Sequence, residues 1–164
     1  VGYSALTVEG VAARAGVGKA TIYRRWASKG PLVVEAFGLL PSFEDADTGD
    51  LGEDLKRMLR GYILAFNSTA LSAVLPSLAG ERAHDAELSK VFEPVSLGRR
   101  APLLRAFERA RERGEVAKDL DLEMAADVVV GPIAVCLFFK GGRLNAKMVG
   151  PMVDLALRGI RDER

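Results

Sequence analysis

The stretch "LTVEGVAARAGVGKATIYRRWASKG", Leu6 to Gly30, holds two short helical patterns joined by a glycine-containing turn. Thr7 stands where a helix N-cap is expected, and apolar residues then recur at helical spacing until Gly16. The second pattern runs from Lys19 to Trp26 and places Ile22 on the same face as Trp26. Two short helices with such a turn predict a helix-turn-helix, whose second helix can enter the DNA major groove. The apolar stripe of the first helix consists of Val8, Val11, Ala12 and Ala15.

The second helix leaves one face available for another molecule. That face carries Lys19, Ala20, Tyr23 and Arg24. Lysine and arginine can neutralise phosphates or reach guanine acceptors, alanine leaves room for a base edge, and hydroxyl groups can bond to phosphate oxygens. Spacing and charge alone leave an alternative open, which is a solvated helix with ordinary surface charges.

The longer stretch "LTVEGVAARAGVGKATIYRRWASKGPLVVEAF", Leu6 to Phe37, resembles the DNA-binding region of TetR-family (tetracycline-repressor-like) transcriptional regulators. The likeness lies in the Thr-start helix, the "AxxAGVxxxTxYxxW" core and the "SK" before the next helix, and it covers about a fifth of the chain. Gly18 departs from the pattern, because many members have Ser or Thr there, and it offers only a backbone N–H. The resemblance implies DNA contacts at Thr7, Gly18, Lys19, Ala20, Thr21, Tyr23, Arg24 and Lys29.

Charge is unevenly distributed along the 164 residues, although the formal net charge is only +1. Residues 1–39 carry five Lys/Arg against two acids, and residues 40–164 carry 18 against 20. Cys136 is the only cysteine and excludes an internal disulfide, and no signal segment opens the sequence, so we expect a cytoplasmic protein. The longest apolar run, Val128 to Phe139, is interrupted by Gly131-Pro132 and predicts a buried helix, with no membrane partner.

Helical spacing recurs along the rest of the chain and strand alternation does not, so we predict an all-α fold. A linking helix from Leu32 to Leu40 should follow the helix-turn-helix, with Ser28 as N-cap to the Gly30 amide and Pro31 at the third helical position. The acidic, turn-rich "PSFEDADTGD" then predicts a domain boundary. The sequence thus divides into a DNA-binding head, residues 1–40, and a helical body for ligand binding and dimerisation, residues 41–164.

The body repeats the amphipathic pattern in longer pieces, which predicts a helical bundle. One stripe starts at Leu51, a second helix spans Ser72 to Gly80, and two further pieces between Asp85 and Arg113 are separated at Pro94 and Pro102. In TetR-like regulators such a bundle encloses a pocket for a small apolar effector. The residues that could line it are Met58, Tyr62, Phe66, Phe92 and Phe107, and the alternative is that they only fill the core.

The last two helices predict a homodimer. Leu122 to Phe139 is apolar nearly all round and needs cover on two sides, and a final helix spans about Asn145 to Ile160. Two such helices from each chain would form a two-fold, four-helix interface. The interface residues are predicted to be Ala125, Val128, Val129, Ile133, Leu137, Val149, Met152, Val153, Ala156 and Ile160. The alternative is a monomer in which both helices cover their own bundle.

Enzyme chemistry finds no support in the sequence. The single histidine, His84, stands beside Asp85, but adjacent residues do not face each other on a helix, and no nucleophile or metal-ligand spacing accompanies them. We therefore expect no cofactor and no metal. The charged run Arg105 to Asp119 alternates in sign, which favours a solvated helix face over a second nucleic-acid site.

Two classes of function follow from these patterns. The first is a ligand-responsive repressor that leaves a palindromic operator when a small apolar effector binds. The second is a helical carrier of apolar ligands, or an interaction module, that no longer binds operators. In TetR-like regulators a helix of several turns precedes the helix-turn-helix, and this chain opens at Val1 with only the tail of that segment. We therefore expect a truncated or partly observed version of a longer protein, in which the head is the less ordered part.

Overall fold

The computed structural model describes residues 3–40, 42–69, 71–140 and 144–160. These residues form helices and connecting segments and include no β-strand, so the predicted all-α fold is confirmed. The α-helices are α1 (Val8–Ala15), α2 (Lys19–Tyr23), α3 (Lys29–Gly38), α4 (Leu51–Ser68), α5 (Leu71–Arg82), α6 (Ala86–Glu112), α7 (Leu122–Phe138) and α8 (Val149–Ile160). Two short 3-10 helices span Tyr3–Ala5 and Ala146–Met148.

The chain divides into two compact units. The first consists of Val1–Leu40 with Ala70–Gly98, and the second of Pro41–Thr69 with Arg99–Arg164. One unit boundary falls at residue 40, where the sequence places the end of the head. The segment from 70 to 98, which the sequence assigns to the body, groups with the helix-turn-helix instead.

Helix α1 begins and ends where the sequence predicts. The Thr7 hydroxyl accepts a hydrogen bond from the Gly10 amide at 3.1 Å, and a Cβ at position 10 would lie only 3.0 Å from that hydroxyl oxygen. At the other end Gly16 takes a left-handed conformation with φ 69°. The amides of Gly16 and Val17 then donate to the carbonyls of Ala13 and Ala12, which satisfies the open end of the helix. Glycine is the residue that adopts this conformation without steric cost.

Helix α2 is shorter than predicted. It ends at Tyr23, whereas the sequence pattern continues to Trp26. Five residues form too few hydrogen bonds for an independent helix, so tertiary packing decides where α2 stops. Ile22 is buried in a cluster with residues of α1. Trp26 lies beyond the end of α2 and packs against that cluster. In the predicted stripe of α1, Ala15 is exposed instead of buried. The cluster comprises Val8, Ala12 and Ile22, with Trp26 and Leu32 packed against it.

The linking helix α3 starts at Lys29, directly after the predicted N-cap Ser28, and ends two residues before the predicted Leu40. Ser28 occupies the N-cap position with extended backbone, and Pro31 is the third helical residue, as expected. The predicted bond from the Gly30 amide to the Ser28 side chain is wrong, because that side chain accepts no capping hydrogen bond. Since Pro31 has no N–H at the position that a cap usually reaches, little holds the hydroxyl in a capping orientation.

The other part of the first unit packs on residues near the start of the chain. Tyr3 is buried, its amide donates to Ser77 Oγ at 2.8 Å, and Ser4 Oγ donates to Glu81 Oε1 at 2.7 Å. On α3, Phe37 stacks on Phe92 with ring centroids 5.2 Å apart. These contacts explain why the segment from 70 to 98 belongs with the helix-turn-helix.

The predicted break between Asp85 and Arg113 is wrong, because α6 is a single helix across Pro94 and Pro102. Each proline removes one helical hydrogen bond, at a cost of about 3 kcal/mol. Burial of the apolar side of the helix offsets that cost, with about 1.5–3 kcal/mol for each large side chain removed from water. The buried apolar residues of α6 are Leu88, Phe92, Leu103, Ala106, Phe107 and Ala110.

The second unit is built on α4. Its predicted apolar stripe is buried except for Tyr62, which is half-buried. Helix α8 packs against α4 and α7, and Lys56 pairs with Asp154 at 3.0 Å. The side-chain amide of Asn67 also donates to the Leu144 carbonyl at 2.7 Å. The stripe consists of Leu51, Leu55, Met58, Leu59, Tyr62 and Phe66.

The acidic connector before α4 is fixed by arginines of α6. Asp45 accepts from Arg105 Nε at 2.8 Å and from Arg109 Nη2 at 2.9 Å, and Arg109 also donates to the Ala46 carbonyl at 2.6 Å. The fully buried Asp54 accepts from the amide and hydroxyl of Thr48 at 2.6 and 2.7 Å. Part of the charged run from Arg105 to Asp119 therefore pairs with the connector.

Replacing Asp45 by asparagine should lower the stability of the second unit at neutral pH. Hydrogen bonds from Arg109, and then from Arg105, hold the pKa of Asp45 below its ordinary value of 3.8. A depressed pKa stabilises the folded state above the unfolded pKa, and this contribution is lost as the pH falls through the folded value. Because the pair is partly exposed, we expect a loss of about 1 kcal/mol or less at pH 7. Urea unfolding of Asp45→Asn measures it.

The control for Asp45→Asn is the same change at the exposed Asp119. At pH 7 the two variants should differ in their free energy of unfolding. This difference should shrink as the pH falls below 3.8 and through the lower folded pKa of Asp45, because the Asp45 carboxylate of the control then becomes neutral as well. A difference that stays constant across this range would show that the charge of Asp45 is not what stabilises the connector.

Candidate nucleic-acid interface

The structure brings the predicted DNA-contacting residues to the surface of the helix-turn-helix. Ile22 points its side chain into the core, so the opposite side of α2 is open to solvent. Seven of the eight predicted residues are exposed and Lys29 is half-buried. The exposed residues are Thr7, Gly18, Lys19, Ala20, Thr21, Tyr23 and Arg24.

Lys19 on α2 and Arg24 directly after it differ from Arg25 in whether they form an ion pair. Among the described residues, Lys19 and Arg24 form no ion pair, whereas Arg25 pairs with Glu35. An unpaired surface cation can approach a phosphate without first losing an internal partner. Lys19 on α2 and Arg24 directly after it are therefore the side chains best suited to phosphate or guanine contacts.

An open groove runs beside the first helix of the motif and joins three of the predicted residues, Thr7, Tyr23 and Lys29. The Lys29 ammonium donates to the carbonyls of Tyr3 and Ser4 at 3.2 and 3.4 Å and lies 4.5 Å from the Tyr3 ring centroid. These contacts hold a positive charge in the groove. The groove is lined by Ser4, Leu6, Thr7, Val8, Glu9, Tyr23, Ala27, Ser28 and Lys29.

Hydroxyl groups in this groove are arranged as donors. The Thr7 oxygen accepts from the Gly10 amide and keeps its own proton free to donate. The Tyr23 hydroxyl donates to Glu9 Oε1 at 3.2 Å. Desolvation by its surroundings, and then the charge and hydrogen bond of Glu9, raise the pKa of Tyr23. The phenol is therefore a neutral donor at physiological pH.

Glu9 was missed by the sequence reasoning. It lines the groove and holds the Tyr23 hydroxyl, although 14 positions separate the two residues. The only signal was that Glu9 is one of two acids among residues 1–39, the other being Glu35. Both acids contact residues at or just after the second helix of the motif.

Sequence comparison matches both parts of the chain to one family. Residues 1–36 match the family model described as "Bacterial regulatory proteins, tetR family". Residues 45–156 match the model described as "Tetracyclin repressor-like, C-terminal domain". The chain belongs to the TetR family.

Relatives of this TetR-family chain are transcriptional regulators. It is 33% identical over 160 residues to the DNA-binding transcriptional repressor TetR of Mycobacteroides abscessus, covering 93% of this chain and 82% of that protein. It is 29% identical over 169 residues to YdeS of Bacillus subtilis, an uncharacterized HTH-type transcriptional regulator, covering 98% of this chain and 82% of that one. The crystal structure of the TetR family transcription regulator SCO0332 is similar, with a TM-score of 0.74 at 29% identity, covering 98% and 90% of the two chains.

These matches confirm the family resemblance and the helix-turn-helix fold. TetR-family proteins are helix-turn-helix transcriptional regulators that bind operator DNA, and they are not enzymes. A ligand-responsive repressor role fits this family. Within the described residues, no group of His, Cys, Asp and Glu could hold a metal ion, and His84 is exposed. No helix in the described part is long and apolar enough to cross a membrane.

The predicted effector-pocket residues of this TetR-family chain fall into both units. Met58, Phe66 and Phe107 are almost fully buried in the second unit. Tyr62 is half-buried there, with its ring centroid 4.7 Å from Phe43 and 6.1 Å from Phe66, and burial raises the pKa of its hydroxyl. Phe92 belongs to the first unit.

The predicted dimer residues need a correction, because most of them lie inside their own unit. Eight of the ten side chains are buried within the single chain, so they cannot form an exposed contact surface. Only Val128 is exposed, and Ala156 is half-buried. Because α7 is apolar on almost all sides, its pattern does not distinguish the side that faces the core. The buried eight are Ala125, Val129, Ile133, Leu137, Val149, Met152, Val153 and Ile160.

Apolar side chains of α7 and α8 reach the surface, and all of them except Val128 lie outside the predicted interface set. Val128 is 48% exposed, while its neighbour Val129 is 0% exposed. Phe139, at the end of α7, is 84% exposed. Such exposure over one helix is unusual for a protein that stays monomeric. We call this set the exposed apolar face, and it consists of Met124, Val128, Val135, Phe138, Phe139 and Leu155.

Proposed function

We propose that this protein is a repressor that binds a palindromic operator as a homodimer and leaves it when a small apolar effector binds. The observation that carries the proposal is the exposed side of α2, where Lys19 and Arg24 stand without ion-pair partners among the described residues. Operator DNA lies in the cytoplasm of a bacterial cell, and we place the protein there.

Helix α2 would lie in the major groove, and the open groove beside α1 would receive the DNA backbone. Lys19 and Arg24 reach phosphates or guanine acceptors, and Ala20 leaves room for a base edge. The groove supplies the Thr7 hydroxyl and the Lys29 ammonium to phosphate oxygens, and the Tyr23 phenol would join them by exchanging its bond to Glu9 for one to a phosphate. Thr21 adds a hydroxyl, and Gly18 contributes only its backbone N–H.

Replacing Lys19 and Arg24 by alanine should weaken binding to DNA from the region upstream of the protein's own gene. Each phosphate contact that is lost should reduce the slope of log affinity against log salt by about one. A contact to a guanine should also relax the preference for that base. Gel shifts at several salt concentrations measure both effects.

Lys118→Ala is the control for these variants, because Lys118 is an exposed lysine of the second unit. It should leave the salt slope unchanged. If wild-type protein gives no salt-sensitive, sequence-selective shift, the protein is better described as a helical ligand carrier or interaction module.

The proposed dimer uses the exposed apolar face, and its occupant is a second copy of this chain. TetR-family regulators act as dimers, and two-fold pairing would cover the same face on both copies. Of the ten residues predicted for the interface, Val128 and Ala156 would still contact the second copy. The eight buried residues would pack beneath the exposed apolar face without contacting the partner. A two-fold dimer presents two α2 helices to successive major grooves, which is why we expect a palindromic operator.

The proposed effector enters the second unit, where the buried Met58, Phe66 and Phe107 are the apolar candidates for its lining. Tyr62 would give the site a polar group, since its hydroxyl is largely desolvated. An effector that favours a conformation in which the two heads no longer match successive grooves would release DNA, with α3 as the connecting element. A ligand that binds but leaves operator affinity unchanged would disprove this scheme.

A further inference from the structure

One carboxylate of α3 holds the chain where it leaves α2. Trp26 Nε1 donates to Glu35 Oε2 at 2.9 Å, and Arg25 Nη2 donates to Glu35 Oε1. The Arg25 guanidinium also lies 4.9 Å from the centre of the Trp26 ring. The three side chains contact one another, and we call them the Glu35 clamp.

The clamp acts on a helix that cannot fix its own orientation. Helix α2 has only five residues, and the chain after it is held by three backbone bonds, from the Arg24 amide to the Ala20 carbonyl and from the Arg25 and Trp26 amides to the Ile22 carbonyl. Trp26 packs against the core cluster that contains residues of both α1 and α2. The clamp therefore ties the end of α2 and its packing to a defined position on α3.

The clamp also separates the roles of two adjacent arginines. Arg25 is engaged by Glu35, whereas Arg24 forms no ion pair among the described residues. The positive charge of Arg25 is neutralised next to the surface that would meet DNA. Its guanidinium then contributes to the orientation of α2 and not to phosphate binding.

We propose that Glu35 is a positioning residue for DNA recognition, which sets the orientation of α2 through Trp26 and Arg25. This inference rests on the proposed function and deepens it. Because Glu35 lies on the linking helix, a movement of α3 is passed to α2 by the clamp.

The test compares Glu35→Ala and Trp26→Phe with the wild-type protein. Two DNA probes are used: the tightest duplex that the wild-type protein selects from a random pool, and a shuffled duplex of the same composition. We expect the ratio of selective to non-selective affinity to fall roughly three- to tenfold in each variant, which is the size expected for the loss of one ordinary, partly exposed hydrogen bond. Removing an acid near DNA should leave non-selective binding equal or stronger.

Three comparisons separate an effect on positioning from effects of charge and of folding. Trp26→Phe keeps the net charge, so its effect cannot arise from a changed field. Glu87→Ala removes an exposed carboxylate of the same unit that pairs with Lys90, and it should leave the ratio unchanged. Thermal unfolding of Glu35→Ala should stay close to wild type, because ion pairs at the surface contribute little to stability.

Arg25→Gln tests the separate roles of the arginines. Arg25→Gln should lower the ratio of selective to non-selective affinity and leave the slope of log affinity against log salt unchanged. Loss of a phosphate contact would instead reduce that slope. A slope that falls by about one would make Arg25 a phosphate contact and overturn the proposal. Equal changes in selective and non-selective affinity in Glu35→Ala, or an unchanged ratio in Trp26→Phe, would also overturn it.

Amide exchange of the DNA-free protein tests the clamp without any DNA. The amides of residues 19–26 should exchange faster in Glu35→Ala and not in Glu87→Ala. If wild-type protein selects no duplex, the proposed function fails, while faster exchange would still show that Glu35 orders α2. If wild type selects DNA and both readouts are unchanged in Glu35→Ala, the clamp proposal alone is wrong.

Discussion

Replacing Val128 by glutamate should convert the dimer to monomers and weaken operator binding on the order of a hundredfold, because the advantage of two linked heads is lost. Val128 lies in the exposed apolar face, and a second copy of the chain would bury it. Two carboxylates related by the two-fold axis would then lose water without gaining partners, which is costly. Sedimentation at micromolar concentration measures the first effect and gel shifts the second.

Leu64→Glu is the matched control for Val128→Glu. Leu64 is 65% exposed on α4 in the same unit and lies outside the exposed apolar face. Its replacement introduces the same charge at a similarly exposed apolar position, and we expect dimer mass and operator affinity to stay at the wild-type level. If Val128→Glu remains dimeric, or if the wild-type protein already sediments as a monomer, the interface is wrongly assigned.

Local signals in the sequence predicted the helix-turn-helix well. The Thr7 cap and the Gly16 stop depend on residues within one helical turn, so they are visible without any tertiary information. The exposed side of α2 followed from the burial of Ile22 alone. These short-range features lie within residues 1–36, the part of the chain that matches the tetR-family model.

The misplaced features depend on contacts between distant segments. Pro94 and Pro102 predicted a break in α6, yet burial along its apolar side keeps the helix continuous. Helix α7 is apolar on two sides, and only the packed chain shows that Val129 faces inward and Val128 outward. The Glu35 clamp joins residues nine and ten positions apart on separate elements, where no periodic pattern connects them.

Phe107→Ala should lower the free energy of unfolding by roughly 3–5 kcal/mol, the range for removing a phenyl ring from a packed core. Phe107 is 0% exposed on α6, and both alternatives for it, core filler and effector contact, remain compatible with that burial. A ring packed on all sides leaves a cavity when it is truncated, and the cavity adds to the lost transfer free energy. Urea unfolding at one fixed protein concentration measures the change, since a dimer's stability depends on concentration.

Leu64→Ala provides the reference for this truncation, because an exposed leucine should cost about 0.5 kcal/mol or less. A loss of several kcal/mol in Phe107→Ala would assign the ring to the core, and the effector would then have to bind against Tyr62 and its neighbours. A loss below about 1 kcal/mol would mean that one side of the ring already faces an unfilled space, since little packing would disappear with it. That result would contradict the core assignment and make Phe107 a wall of the effector site.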